Sequence, residues 1–215
     1  MPFTATQLFV PGAPGFVWSA RMAAAPGMPV LVRDGFVAGT GSMRAAVLGL
    51  VKVADREGSG QIAAAARQRY LGEAMWFPTA LLLSQGVKWT AMDEFRARAE
   101  ISGGGSVTSL EFRSGPDGLI ESVFAPERVY DDGKHPPALL PWTARILRYG
   151  DFHGMKIPTD AVAEWQLPKP AEPEPKRMHS LRQQACYEQG ENPLVYPPEG
   201  TRGDPLVDSP KPECR

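Results

Sequence analysis

Strict alternation of apolar and polar residues over 95–101 constrains the fold of this chain more than any other feature. Phe95, Ala97, Ala99 and Ile101 fall on one face, and Arg96, Arg98 and Glu100 on the other, which is the period of a half-buried antiparallel strand. Gly103-Gly104-Gly105 marks a turn, residues 107–112 put Thr108, Leu110 and Phe112 on one face, and Gly115-Pro116-Asp117-Gly118 turns the chain into residues 119–125. The spacing predicts a three-stranded meander over 95–125. Further strands are expected over 16–22, 30–36, 42–53, 87–91, 142–149 and 161–167. The run 42–53 is apolar on both faces, with Met43, Ala45, Val47 and Val51 alternating with Ala46, Leu48 and Leu50. It is expected mid-sheet, covered on both sides.

One segment departs from this period. Ser59 can cap a helix over 60–75, in which Ala63 to Ala66, Arg67, Gln68, Leu71 and Glu73 are nearly all good helix formers. Pro78 then ends the helix or opens a new turn. The expected fold class is α+β, mostly β: one strongly curved antiparallel sheet, a half-barrel, with this helix packed on its concave face.

Beyond residue 168 the composition changes. Ten of the 22 prolines lie between Pro168 and Pro212, and neither Trp nor Phe occurs after Leu167. Such a segment buries too little apolar surface to offset its ordering entropy. Residues 1–168 are therefore expected to form the folded domain, and 169–215 a proline-rich disordered tail. Cys186 and Cys214 both follow residue 168, so no disulfide is expected to staple the folded part.

The charge balance, 23 basic against 24 acidic residues for a net −1, supplies no field for a phosphate backbone, so nucleic acid is not an expected partner. No window approaches the roughly 18 consecutive apolar residues of a membrane-crossing helix. The first residues lack a basic stretch followed by an apolar one, which leaves a cytoplasmic location as the expectation.

Several phrases together carry a family resemblance: Pro14-Gly-Phe-Val-Trp-Ser-Ala-Arg21, Arg69-Tyr-Leu-Gly-Glu-Ala-Met-Trp-Phe-Pro-Thr-Ala-Leu-Leu82, Gly86-Val-Lys-Trp89, Pro141-Trp142, and Gly154-Met-Lys-Ile-Pro158 followed by Glu164-Trp165. Over residues 1–167 the chain resembles an uncharacterised bacterial domain-of-unknown-function family, similar in architecture to the lipoprotein-carrier half-barrels. That resemblance implies a curved sheet wrapped around helices and, by analogy, a carrier for an apolar or lipid-like ligand. It also implies a helix and strand ahead of Phe3 and a further strand after Trp165. The chain is thus expected to be truncated at its N-terminus and to diverge after Leu167. Sheet edges left open in this way would favour self-association.

No nucleophile elbow, phosphate-binding loop, His-Glu-x-x-His or Cys-x-x-Cys pattern occurs, and no cofactor is expected. His135 follows Asp131-Asp132, and His153 follows Asp151. Neither pair finds a third ligand at useful spacing, so both read as solvated loop residues and no metal is expected. Glu73, near Tyr70, Trp76 and Phe77, has two readings. It anchors the helix to the sheet through Arg21 or backbone donors, or it is a general acid or base without a nominated partner. The aromatic set either packs a core or lines a concavity. The candidate ligand-binding residues are Trp18, Arg21, Tyr70, Glu73, Trp76, Phe77, Trp142 and Trp165. Three functions stay open: a non-catalytic binding or carrier module, an enzyme using Glu73, and a structural domain with a fully packed interior.

Overall fold

The computed structural model describes residues 3–131, 135–168, 180–184 and 194–196. Two compact units divide the chain: the described residues of Met1–Ala66 and Gln184–Arg215 form one, and those of Arg67–Gln183 the other.

The first unit is an antiparallel meander of β1 (Phe3–Val10), β2 (Gly15–Ala25), β3 (Met28–Val37), β4 (Thr40–Val47) and β5 (Val51–Gly58). Short turns set its register. Pro26-Gly27 joins β2 to β3 with Gly27 at φ 72°, which is the type II arrangement of proline followed by a left-handed glycine. Ala38 at φ 50° and Gly39 at φ 80° join β3 to β4. Positive φ at both central residues is the type I′ geometry that matches strand twist.

The expected single strand over 42–53 is corrected here. Leu48 at φ 54° and Gly49 at φ 72° reverse the chain, and β4 and β5 pair with each other. The Leu48 N–H donates to the Pro29 carbonyl at 2.8 Å and the Leu50 N–H to that of Val47 at 3.0 Å. Far from lying mid-sheet, β5 is an edge strand, with Leu50 82% and Val51 64% exposed. The physical reason is Gly49, which supplies a left-handed turn residue inside an apolar run whose periodicity alone reads as one strand.

Inward-facing residues of this sheet alternate with outward ones: Ala5, Phe16, Trp18, Ala20, Val32, Phe36 and Ala45 are buried. The helix α1 (Gln61–Glu73) begins beside β4. A Cβ added at Gly41 would stand 2.6 Å from the Ile62 carbonyl oxygen, so only glycine admits this approach.

The second unit is also an antiparallel meander. It contains β6 (Lys88–Ala91), β7 (Arg96–Gly103), β8 (Ser106–Ser114), β9 (Ile120–Tyr130), β10 (Ala138–Phe152) and β11 (Met155–Trp165), with β12 (Ser180–Gln184) beyond β11. The meander expected over 95–125 is present as β7, β8 and β9, and Gly104 (φ 58°) and Gly105 (φ 76°) form the first of its turns. Register shifts at Leu140/Trp142 and Ile146/Arg148 interrupt the ladders of β10, and such bulges bend a strand and increase its twist. After α1, one-turn 3-10 segments at Ala74–Trp76, Pro78–Leu81 and Leu83–Gln85 lead into β6. Ala74, Met75, Trp76, Ala80 and Leu81 are buried.

The described residues are mostly β, antiparallel, with one α-helix among them. Its strands divide into a six-stranded and a seven-stranded sheet, where the sequence reading gathers them into one. The helix and its 3-10 turns intervene between β5 and β6, and no ladder joins those strands among the described residues. Two short strands follow residue 168 among the described residues. β12 lies at the end of the seven-stranded sheet, and β13 (Leu194–Tyr196) pairs with β1 through Ala5 and Tyr196, Thr6 and Val195, and Gln7 and Leu194. An edge strand offers main-chain donors and acceptors that an extended segment can satisfy without an apolar core of its own. The rest of 169–215 lies outside the described residues.

Candidate functional site

Strand pairing in the first unit aligns side chains into rows that cross the sheet. One row is Ala5, Ala20, Val32, Ala45 and Ala54, each the register partner of the next. Successive side chains alternate between faces, so the two flanking rows project from the opposite face. One flanking row is Thr4, Arg21, Leu31, Ala46 and Lys52; the other is Thr6, Ser19, Arg33, Arg44 and Asp55. A cleft of about 630 Å³ is lined by these residues and by Gly49. In β5, Ala54 pairs with Ala45 and Lys52 with Ala46, which leaves Val53 as an extra residue. This bulge bends the strand beside the cleft.

The cleft is rich in positive charge. Its lining carries Arg21, Arg33, Arg44 and Lys52 against one acid, Asp55. Arg44 reaches Asp55 at 3.3 Å and Glu57 at 2.6 Å, and Lys52 reaches Asp55 at 2.7 Å. The hydrogen bond from Lys52 and its charge, helped by Arg44, hold the Asp55 carboxyl below the ordinary carboxylate range. Arg21 and Arg33 are exposed and make no ion pair among the described residues.

The eight residues singled out from the sequence are distributed over both units. In the first, Trp18 is buried on β2 with Phe3 edge-on at 6.0 Å, and Arg21 lines the cleft. In the second, Tyr70, Trp76 and Phe77 are buried, and burial pushes the Tyr70 phenol up to about 12. Trp142 and Trp165 meet edge-on at 6.4 Å, with the Arg128 guanidinium 4.1 Å above the Trp142 ring and Tyr130 5.8 Å from Trp165. The helix approaches this cluster through Gly72, where a Cβ would lie 3.4 Å from the Trp142 ring. Glu73 accepts from Arg69 Nε at 2.8 Å, one turn away on the same helix, where the sequence reading nominates Arg21 on the sheet as its partner. Asp151 accepts from the Gly154 N–H at 2.8 Å and pairs with Lys156 at 3.0 Å, while His153 occupies the adjoining turn at φ 55°.

Sequence reasoning reached Arg21 but missed Arg33, Arg44 and Lys52. It also missed Arg67, which is 3% exposed and donates to the Thr108 hydroxyl at 2.7 Å, the Gly103 carbonyl at 2.6 Å and the Ser106 hydroxyl. The usable signal for the cleft is the turn pairs Pro26-Gly27 and Ala38-Gly39, which together with a bulge at Ala24 set the alignment of Arg21, Arg33 and Arg44.

Among the described residues no group of three or more His, Cys, Asp or Glu gathers where it could hold a metal ion. No helix among them is long and apolar enough to cross a membrane. The fold and the cleft together define an antiparallel β-sheet domain with an open, basic cleft across the face of one sheet. The chain belongs to a family of unknown function (DUF6544), whose model matches residues 1–173. No curated protein and no solved structure matches it.

Proposed function

We propose that this chain is a non-catalytic binding or carrier module that takes up an apolar or lipid-like small molecule in the cleft of the six-stranded sheet. The cleft carries the reading. Its volume of about 630 Å³ falls within the roughly 300–1,000 Å³ typical of small-molecule sites. Leu31, Ala46 and the aliphatic stems of the arginines provide apolar surface beneath charged heads. A neighbouring depression of about 270 Å³ shares Thr4 and Arg21 with it and adds Met22, Ala23, Ala25, Met28 and Pro29. The pairing of Glu73 with Arg69 within α1 supports a structural role for that carboxylate over acid–base chemistry. A ligand bound only by the folded chain raises its melting temperature with concentration. A thermal-shift series with apolar compounds tests this, and an unmoved transition across the series would sink the reading.

A second reading, association between copies of the chain, is favoured by the β5 edge, where Val51 is 64% and Val53 59% exposed. Edge strands with free main-chain groups and apolar side chains are templates for further pairing.

A further inference from the structure

We infer that the cleft selects a single-chain amphiphile with an anionic head group, carboxylate or phosphate, held by Arg21 and Arg33. The inference rests on the binding reading of the cleft.

Three guanidinium groups project from one sheet face on adjacent strands. Arg33 stands directly opposite Arg44 across the β3–β4 pair, and its partner on β2 is Ser19, two residues before Arg21. Like charges directly opposite one another destabilise a sheet. Arg44 is compensated by Asp55 and Glu57, and Lys52 by Asp55. Arg21 and Arg33 have no such partner among the described residues, so the uncompensated charge of the cleft is theirs. In a chain whose net charge is −1, this local excess is not a by-product of overall basicity. A bound anion supplies the missing negative charge, and the forked guanidinium geometry suits carboxylate and phosphate oxygens. The Thr4, Thr6 and Ser19 hydroxyls line the same space and add neutral donors.

The neighbouring depression supplies surface for an apolar chain. Arg21 lines both hollows, and the second adds Met22, Ala23, Ala25, Met28 and Pro29 to its lining. A head group between Arg21 and Arg33 therefore leaves an apolar chain with a place to lie, whereas a free inorganic anion would leave that surface unused.

The experiment is calorimetric titration of the full chain with four probes below their micellar concentrations: dodecanoate, dodecyl phosphate, dodecanol and inorganic phosphate. Dodecanoate and dodecyl phosphate are expected to bind, and dodecanol to bind at least about tenfold more weakly. Arg21→Gln and Arg33→Gln should each lower affinity for the anionic probes by roughly tenfold to a hundredfold, and that for dodecanol by less than about threefold, the share of the shortened stem. The ligand-free melting temperature of Arg33→Gln should hold or rise, because a repulsion with Arg44 is removed. Equal binding of all three amphiphiles, unaffected by the variants, would overturn the anion selection and leave the apolar-ligand reading standing. Inorganic phosphate binding as tightly as dodecyl phosphate would overturn the amphiphile. Failure of all four probes to bind would remove both readings.

Discussion

Arg67 Nε donates to the Thr108 hydroxyl at 2.7 Å, joining a buried helix cation to β8. The same guanidinium donates to the Gly103 carbonyl at 2.6 Å and to the Ser106 hydroxyl. Arg67 thus ties α1 to the β7–β8 turn with three neutral acceptors, and no carboxylate pairs with it among the described residues. Arg67→Met keeps most of the stem but strands these acceptors and should destabilise the chain by about 3 kcal/mol in chemical denaturation. Arg67→Lys should recover only part of this, since one ammonium does not span the fork. A loss indistinguishable from zero would mean that water serves those acceptors equally well.

Two glycines, Gly41 facing α1 and Gly72 within it, should respond with opposite signs. At Gly41 an added Cβ meets backbone at 2.6 Å, which cannot yield, so Gly41→Ala should destabilise by about 1–3 kcal/mol. At Gly72 the nearest atom is the Trp142 ring at 3.4 Å, an ordinary contact inside a helix. Gly72→Ala should therefore stabilise by about 0.5–1 kcal/mol. Urea midpoints of the two variants decide the matter, and a stabilised Gly41→Ala would refute the close approach of α1 to β4.

Burial pushes the Tyr70 and Tyr149 phenols up to about 12, although Tyr149 also donates to the Ile120 carbonyl at 2.7 Å. An unfolded tyrosine ionises near pH 10. Both phenols are neutral in either state below that pH, so their contribution is complete there. It is lost as pH rises from about 10 to about 12, where the unfolded chain ionises first. Near-ultraviolet phenolate absorbance should show two tyrosines titrating late, and Tyr70→Phe should flatten the alkaline fall in stability. Ionisation of all tyrosines together near pH 10 in the folded chain would contradict their placement.

Association through the β5 edge should depend on concentration and weaken in Val53→Lys, because a charge on an edge strand opposes pairing with another chain. Sedimentation velocity over a hundredfold range of concentration is the measurement. A monomer throughout, in the unsubstituted chain, would remove the second reading.

The parts of this fold legible in the sequence are those where period and punctuation agree. Residues 95–101 alternate without exception and lead into a glycine turn, and β7 lies there with β8 following the turn. The hairpin at Leu48-Gly49 is not legible by period, because apolar residues continue through it and only the glycine marks the reversal. The cleft is harder still. Arg21 and Arg33 become neighbours only through strand register, which depends on a two-residue turn at Pro26-Gly27 and on a bulge at Ala24, and Lys52 takes its place in the row only because Val53 bulges out of β5. Arg67 sits among good helix formers and reads as a solvated face. What buries it is the turn between β7 and β8, some forty residues along the chain, as the sequence separation of 41 from Thr108 records.

Both sheets are built almost wholly from strands that pair with their immediate neighbours in the chain, and this bears on how the molecule comes to be folded. Each such pairing closes a short loop at small entropic cost, so β1 to β5 and β6 to β11 can zip hairpin by hairpin, at rates that local contacts favour. The attachment of β13 to β1 is of another kind, because it must recruit a segment from the far end of the chain. Its order of events is therefore last on and first off: the edge of β1 lies open during folding, and reopens before either meander is disturbed.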